Sequence, residues 1–178
     1  GMHSSCFVML GLPYEDIQDI MDTIKLLGKA KPGRFRWTYF FPFPGTAAYK
    51  LAVEGGYMDH QKMKTMRNFT DASCLNFGAQ QHLMLSKVGR AMPWFVNASS
   101  DLQSAPIYMK RIDDLLAMDK EEWERVSPSI HKEDKKLSQQ LQKKNISHYA
   151  VKYNPYMGVI SDYFMNEIEW VVHRVILN

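Results

Sequence analysis

Two segments decide the fold: Cys6-Phe-Val-Met-Leu-Gly-Leu-Pro-Tyr-Glu15 and Arg34-Phe-Arg-Trp-Thr-Tyr-Phe-Phe-Pro-Phe-Pro-Gly-Thr46. Residues 6–10 form a short apolar run that stops at Gly11-Leu12-Pro13, the pattern of a strand covered on both faces, as parallel sheets require. Residues 34–41 alternate basic or polar with aromatic residues and predict a second strand. It ends at Pro42-Phe43-Pro44-Gly45, where two prolines remove ladder donors. Between the two segments, Glu15 and Asp16 place acids in a first helical turn. Ile17, Ile20, Met21, Ile24 and Leu27 recur at helical spacing, and Lys25 and Lys29 precede a stop at Lys31-Pro32-Gly33. Thr46 is a candidate cap for a short helix over 47–54, closed by Gly55-Gly56.

Strand-helix-strand-helix order makes parallel pairs through a right-handed crossover. The predicted fold class is therefore α/β. Two parallel βα units form half of a TIM-like (β/α) barrel, followed by a mostly helical extension and a small antiparallel β C-terminus. Helices are expected over 77–92, ended by Pro93, and from Ser104-Ala105-Pro106 onward. Another is expected after the capping residue Asp119. A polar helix with a thin apolar stripe, expected to be exposed, covers 130–146. Tyr149, Val151 and Tyr153 alternate before the turn at 154–158, and Val159-Ile160 follow it. Ile168, Trp170, Val172 and Ile176 continue the alternation, which predicts an antiparallel meander. The polar stretch 97–101 is the expected boundary between a barrel portion, 3–96, and an extension, 97–178.

The chain has 178 residues, 22 Lys and Arg against 19 Asp and Glu, and two cysteines. That length suits one domain, or one plus an appendage, but is too short for a complete (β/α)8 barrel of roughly 200–250 residues. No run of 18 apolar residues is present, so no membrane contact is expected. Residues 1–95 hold 11 basic and 7 acidic residues, and residues 96–178 hold 11 and 12, so neither half forms a basic face for nucleic acid. Residues 6–12 lack a basic flank and do not resemble a signal peptide. Cys6 and Cys74, 68 positions apart, make neither a disulfide framework nor a zinc site, and a cytoplasmic location is expected.

In parallel α/β folds ligands bind at the carboxyl ends of the strands. Both candidate loops have the composition for this. Gly11 permits close backbone approach, and Pro42-Phe43-Pro44-Gly45 makes a stiff apolar wall with free carbonyls, suited to a flat heterocycle. The plainer alternative is a pair of stiff βα turns.

The span 7–56, with Gly11-Leu12-Pro13-x-Glu15, Thr23-Ile24, Lys31-Pro32 and Pro42-Phe43-Pro44-Gly45-Thr46-x-x-Tyr49, resembles the late barrel strands of radical S-adenosylmethionine enzymes. The closest subgroup carries a cobalamin-binding domain. The resemblance implies that the two strands are the fifth and sixth of a partial (β/α)6 barrel, and that Leu12, Pro13, Phe41, Pro42 and Phe43 flank the cofactor's adenine. For the intact enzyme it implies S-adenosylmethionine, a 4Fe-4S cluster and, in the subgroup, cobalamin. The family's Cys-x3-Cys-x2-Cys cluster motif does not occur here. Tyr14 and Asp16 stand where the family often has Gly and Thr.

The chain is therefore expected to be a C-terminal portion, inactive and without cofactor by itself, whose partner is the missing N-terminal barrel half. The alternative is a non-catalytic scaffold on a barrel remnant that self-associates to bury its sheet edge and Met-rich face. The six histidines show no HxxxH or HExxH spacing, and Cys74 is expected to be a small buried residue.

Overall fold

The computed structural model describes residues 4–66, 72–154 and 159–165. The first strand, β1 (Ser5–Leu10), leads through helix α1 (Ile17–Ala30) to β2 (Arg34–Tyr39). The two strands pair in parallel from Ser5 opposite Arg34 to Leu10 opposite Tyr39. Of the two acids expected in the first turn of α1, Asp16 is the cap and Glu15 lies outside the helix. Asp16 accepts the Asp19 N–H, and Asp19 accepts the Asp16 N–H in return. The second strand stops two residues earlier than the alternation suggests. Only Phe40 N–H, donating to Leu10 O at 2.8 Å, extends the pairing before the prolines.

Beyond β2 the chain is mostly helical: α2 (Ala47–Glu54), α3 (His60–Thr65), α4 (Ala79–Ala98), α5 (Ala105–Ala117), α6 (Lys120–Val126) and α7 (Ile130–Lys143). Thr46, Asp59 and Asp119 cap α2, α3 and α6 through their side chains. The hairpin strands β3 (Tyr149–Asn154) and β4 (Val159–Met165) are antiparallel to each other. They complete the sheet that β1 and β2 begin: the order is β1-β2-β4-β3, with Arg34 opposite Phe164 and Phe35 opposite Tyr163. The fold is thus α/β with a parallel pair at one side and an antiparallel hairpin at the other. The alternating segment expected over 168–176 lies outside the described residues.

Helix α4 is the axis of the molecule, packing on α1, α5, α7, β2 and β3. Pro93 does not end it. The helix breaks at Ala91 (φ −113°, ψ 23°) and resumes at once, with Pro93 in the first turn of the new segment, where an N–H is not required. Every residue from Ala91 to Ala98 is buried, which makes this segment a core helix. It comes so close to α1 that a Cβ on Gly28 would lie 2.5 Å from Ser99 O.

The expectation of an exposed helix over 130–146 is also corrected. Ile130, Leu137 and Leu141 of α7 are buried, and the polar Asp134 and Ser138 share that stripe. Each polar group has a partner: Trp94 Nε1 donates to Asp134 Oδ1 at 2.9 Å, and Ser138 Oγ lies 2.8 Å from His148 Nε2. Such bonds let polar residues occupy a core face that a hydrophobicity pattern assigns to solvent.

Asn97, expected in a boundary loop, is fully buried at the end of α4. Its Oδ1 accepts Tyr149 N–H at 2.8 Å and its Nδ2 donates to Tyr149 O at 3.3 Å, while Tyr149 Oη donates to Pro32 O at 2.6 Å. Core residues on both sides of position 97, from Val8 and Phe35 to Trp123 and Leu141, belong to one cluster.

Asn97→Ala strands the buried N–H and C=O of Tyr149, at about 1–3 kcal/mol for each group. Urea unfolding is expected to show a stability loss of about 2–6 kcal/mol for the two groups together. A change below about 0.5 kcal/mol, the size typical of surface substitutions, would contradict the clamp.

His148 makes a second prediction. Burial, the largest cause, pushes its pKa below the ordinary 6.5, outweighing the opposing bond to Ile146 O. The unfolded chain therefore takes up a proton near pH 6.5 that the folded chain takes up only at lower pH, so stability falls as pH drops through that window. The slope is at most about 1.4 kcal/mol per pH unit. His148→Asn should flatten the fall in melting temperature between pH 7 and 5.5, and an unchanged slope would assign it to other groups.

Candidate functional site at the carboxyl ends of the parallel strands

Because β1 and β2 run in parallel and in register, the loops that follow them leave from the same end of the sheet. In the first loop Gly11 (φ 73°) and Tyr14 (φ 67°) both adopt left-handed backbone. At Gly11 a Cβ would also be crowded, lying 3.0 Å from Leu85 Cδ2 and 3.4 Å from Phe77 Cε2. Glu15 holds the loop from inside. Its Oε2 accepts the N–H groups of Gly11 at 2.5 Å and Leu12 at 3.1 Å, and Gln81 Nε2 donates to Glu15 O at 2.6 Å. Burial pushes the Glu15 carboxyl above its ordinary range. The bonds from Leu12 and Gly11 oppose that shift, and the charges of Asp19 and Asp16 add to it.

The second loop is set by Thr46. Its Oγ1 donates to Phe43 O at 2.8 Å and accepts Tyr49 N–H at 3.1 Å, closing a turn that Gly45 (φ 87°) completes. The rings of Phe41 and Phe43 meet with centroids 5.0 Å apart. Beneath them lies a satellite core of Phe40, Ala52, Cys74 and Leu75, against which Phe41, Tyr57 and Phe77 pack. Tyr14 meets the edge of Tyr57 at 5.4 Å, and Tyr57 lies 5.4 Å from Phe77. Both loops thus rest on residues from the α2–α4 region.

The five residues expected to flank a ligand differ in their accessibility. Leu12 is 37% exposed and Phe43 57%, and both can take a contact. Pro13 and Phe41 are half-buried, and Pro42 is buried. Pro42 therefore fixes the loop rather than offering surface. Tyr14, 60% exposed on its strained backbone, joins the accessible set. What this end of the sheet can do is bind: it presents the apolar surface of Leu12, Tyr14 and Phe43.

Cys74 is buried, with Sγ 4.0 Å from Phe40 O, and burial raises its thiol pKa. Cys6 is half-buried on β1, on the core side of the sheet. Among the described residues no three His, Cys, Asp or Glu side chains gather as a metal site, and no helix is long and apolar enough to cross a membrane. Gly11 and Glu15, four residues apart, carry the only local signal for the loop's internal anchor. Tyr57 and Phe77 have none, because they reach the site only through tertiary packing. No protein-family model, no curated protein and no solved structure matches this chain.

Proposed function

We propose that this chain supplies the adenine-side wall of an S-adenosylmethionine site in a radical S-adenosylmethionine enzyme, as the last two βα units of a partial barrel. One observation carries the reading: the Gly11–Glu15 and Phe41–Thr46 loops leave adjacent parallel strands at one end of the sheet and offer Leu12 and Phe43 to solvent. The sheet supports it in two further ways. The parallel run ends at β2, whose other neighbour is the antiparallel β4, as a sixth and last barrel strand requires. On the opposite side β1 has no neighbour among the described residues, and Phe7 (63% exposed) and Met9 (44%) face away from the α1–α4 core. A strand of a parallel sheet is covered on both faces, so this surface suits further barrel strands outside the sequence.

The bound cofactor supplies a methyl group or, on reductive cleavage, a 5′-deoxyadenosyl radical. The residues present here fit only its adenine end. With cysteines only at positions 6 and 74, one on β1 and one behind Phe40, the chain has no ligand set for a 4Fe-4S cluster. Its own part is to bind and orient the purine on Leu12 and Phe43 and to keep water from that face.

Two measurements test the proposal. The reading frame upstream of the His3 codon is expected to encode Cys-x3-Cys-x2-Cys and preceding βα units, and a frame without them would overturn the enzyme assignment. In the isolated chain, 5′-deoxyadenosine should bind at about millimolar Kd, worth about 4 kcal/mol. Amide shifts should be confined to 11–15 and 41–46. Phe43→Ala should weaken binding by about 1–3 kcal/mol, the range for a base on an aromatic ring. Shifts mapping elsewhere would remove the adenine wall.

A further inference from the structure

A second candidate site lies on the helical side of the sheet and shares Gln81 with the support of the first loop. The start of α1, the first half of α4 and the end of α5 border an open cleft of about 630 Å³, within the size range of small-molecule sites. Its apolar lining includes Ile17, Leu83, Met84, Leu116 and Met118, and one wall is Lys87.

Lys87 is 3% exposed, which is rare for lysine without a charged partner. Its Nζ donates to Leu116 O at 3.1 Å and to Met118 O at 2.5 Å, so it closes the carboxyl end of α5. An ammonium has three donors, and among the described residues two of them meet neutral carbonyls. The acids that act on it, Asp119 and Glu122, are exposed and do so only as distant charges. The cleft thus joins a buried cation having one donor left to a floor of aliphatic and thioether side chains.

We infer that this cleft binds an amphiphilic monocarboxylate, a short- to medium-chain acid whose carboxylate accepts from Lys87 and whose tail lies on Met84, Leu83 and Leu116. A charge-assisted bond completes the buried ammonium, and the tail displaces water from apolar surface. Asp16 also lines the cleft, but it is exposed and its Oδ1 already accepts the Asp19 N–H, so water screens its repulsion of an anion. Thioethers suit tails of varied shape.

Calorimetric titration of the whole chain with butyrate, hexanoate, octanoate and neutral octanamide tests this. Affinity for the acids is expected to rise roughly two- to fourfold per added methylene, following the transfer free energy of a buried CH2. Octanamide is expected to bind at least about tenfold more weakly, the loss of one charge-assisted bond. Lys87→Met should abolish the preference for the acid, although it also uncaps α5. Met84→Trp, which fills the cleft and leaves the Lys87 bonds in place, should abolish binding with the melting temperature kept. Absence of saturable octanoate binding, equal affinity for octanamide, or full binding by Met84→Trp would each show that Lys87 only closes α5.

Discussion

The second segment of α4 and the Asn97 amide near its end hold the N-terminal βα unit and the hairpin that starts at Tyr149 together. Asn97 grips the first residue of β3 by both its N–H and its C=O, and the hydroxyl of that same Tyr149 reaches Pro32, at the entry to β2. Three hydrogen bonds thus fix where the C-terminal hairpin meets the N-terminal βα unit. The sheet depends on this, since among the described residues β4 pairs with β2 through two positions, Arg34 and Phe35. A contact that short sets no register alone. The edge-on stacking of Phe35 on Tyr149, 5.0 Å apart, adds an apolar contact at the same place.

Buried polar groups recur around this axis, and each sits where two elements meet. Trp94 joins α4 to α7 through Asp134, with the Arg111 guanidinium over the indole at 5.4 Å. His148 joins α7 to the start of β3, and Lys87 joins α4 to the end of α5. Aliphatic packing tolerates small adjustments of helix position, whereas displacing a buried donor from its acceptor costs the full desolvation of both groups. The arrangement of helices around α4 is specified by these bonds, and its stability comes from the apolar residues between them.

How much of this could be read from the sequence follows from where each signal resides. The β1-α1-β2-α2 order was legible because strand length, helical spacing, caps and proline stops are local properties. Thr46 and Asp119 act as the residue types predict. Pro93 misleads because proline forbids a helix interior but suits a helix start, and the one-residue break at Ala91 turns the first case into the second. The burial of α7 was illegible because Asp134 and Ser138 look like solvent residues until Trp94 and His148 are beside them. Asn97-Ala-Ser-Ser-Asp101 reads as a linker by composition, and only the position of Tyr149 reveals the amide as a clamp. The same division holds at the candidate site, where the two loops were visible and their supports Tyr57 and Phe77 were not.

The stiffness of the site follows from a balance within its first loop. Left-handed backbone at Tyr14 costs of order 1 kcal/mol, and a half-buried Glu15 carboxylate adds a desolvation cost. The two N–H bonds to that carboxylate and the Gln81 bond to its carbonyl offset these costs, and they do so only in one loop conformation. A loop held this way loses little further entropy when a flat ligand settles on Leu12, so more of the contact energy appears as affinity. Phe43 opposite is fixed by different means, through Thr46 and the ring of Phe41. The two sides of this end of the sheet are therefore preset independently, and the parallel register between Leu10 and Tyr39 sets their separation.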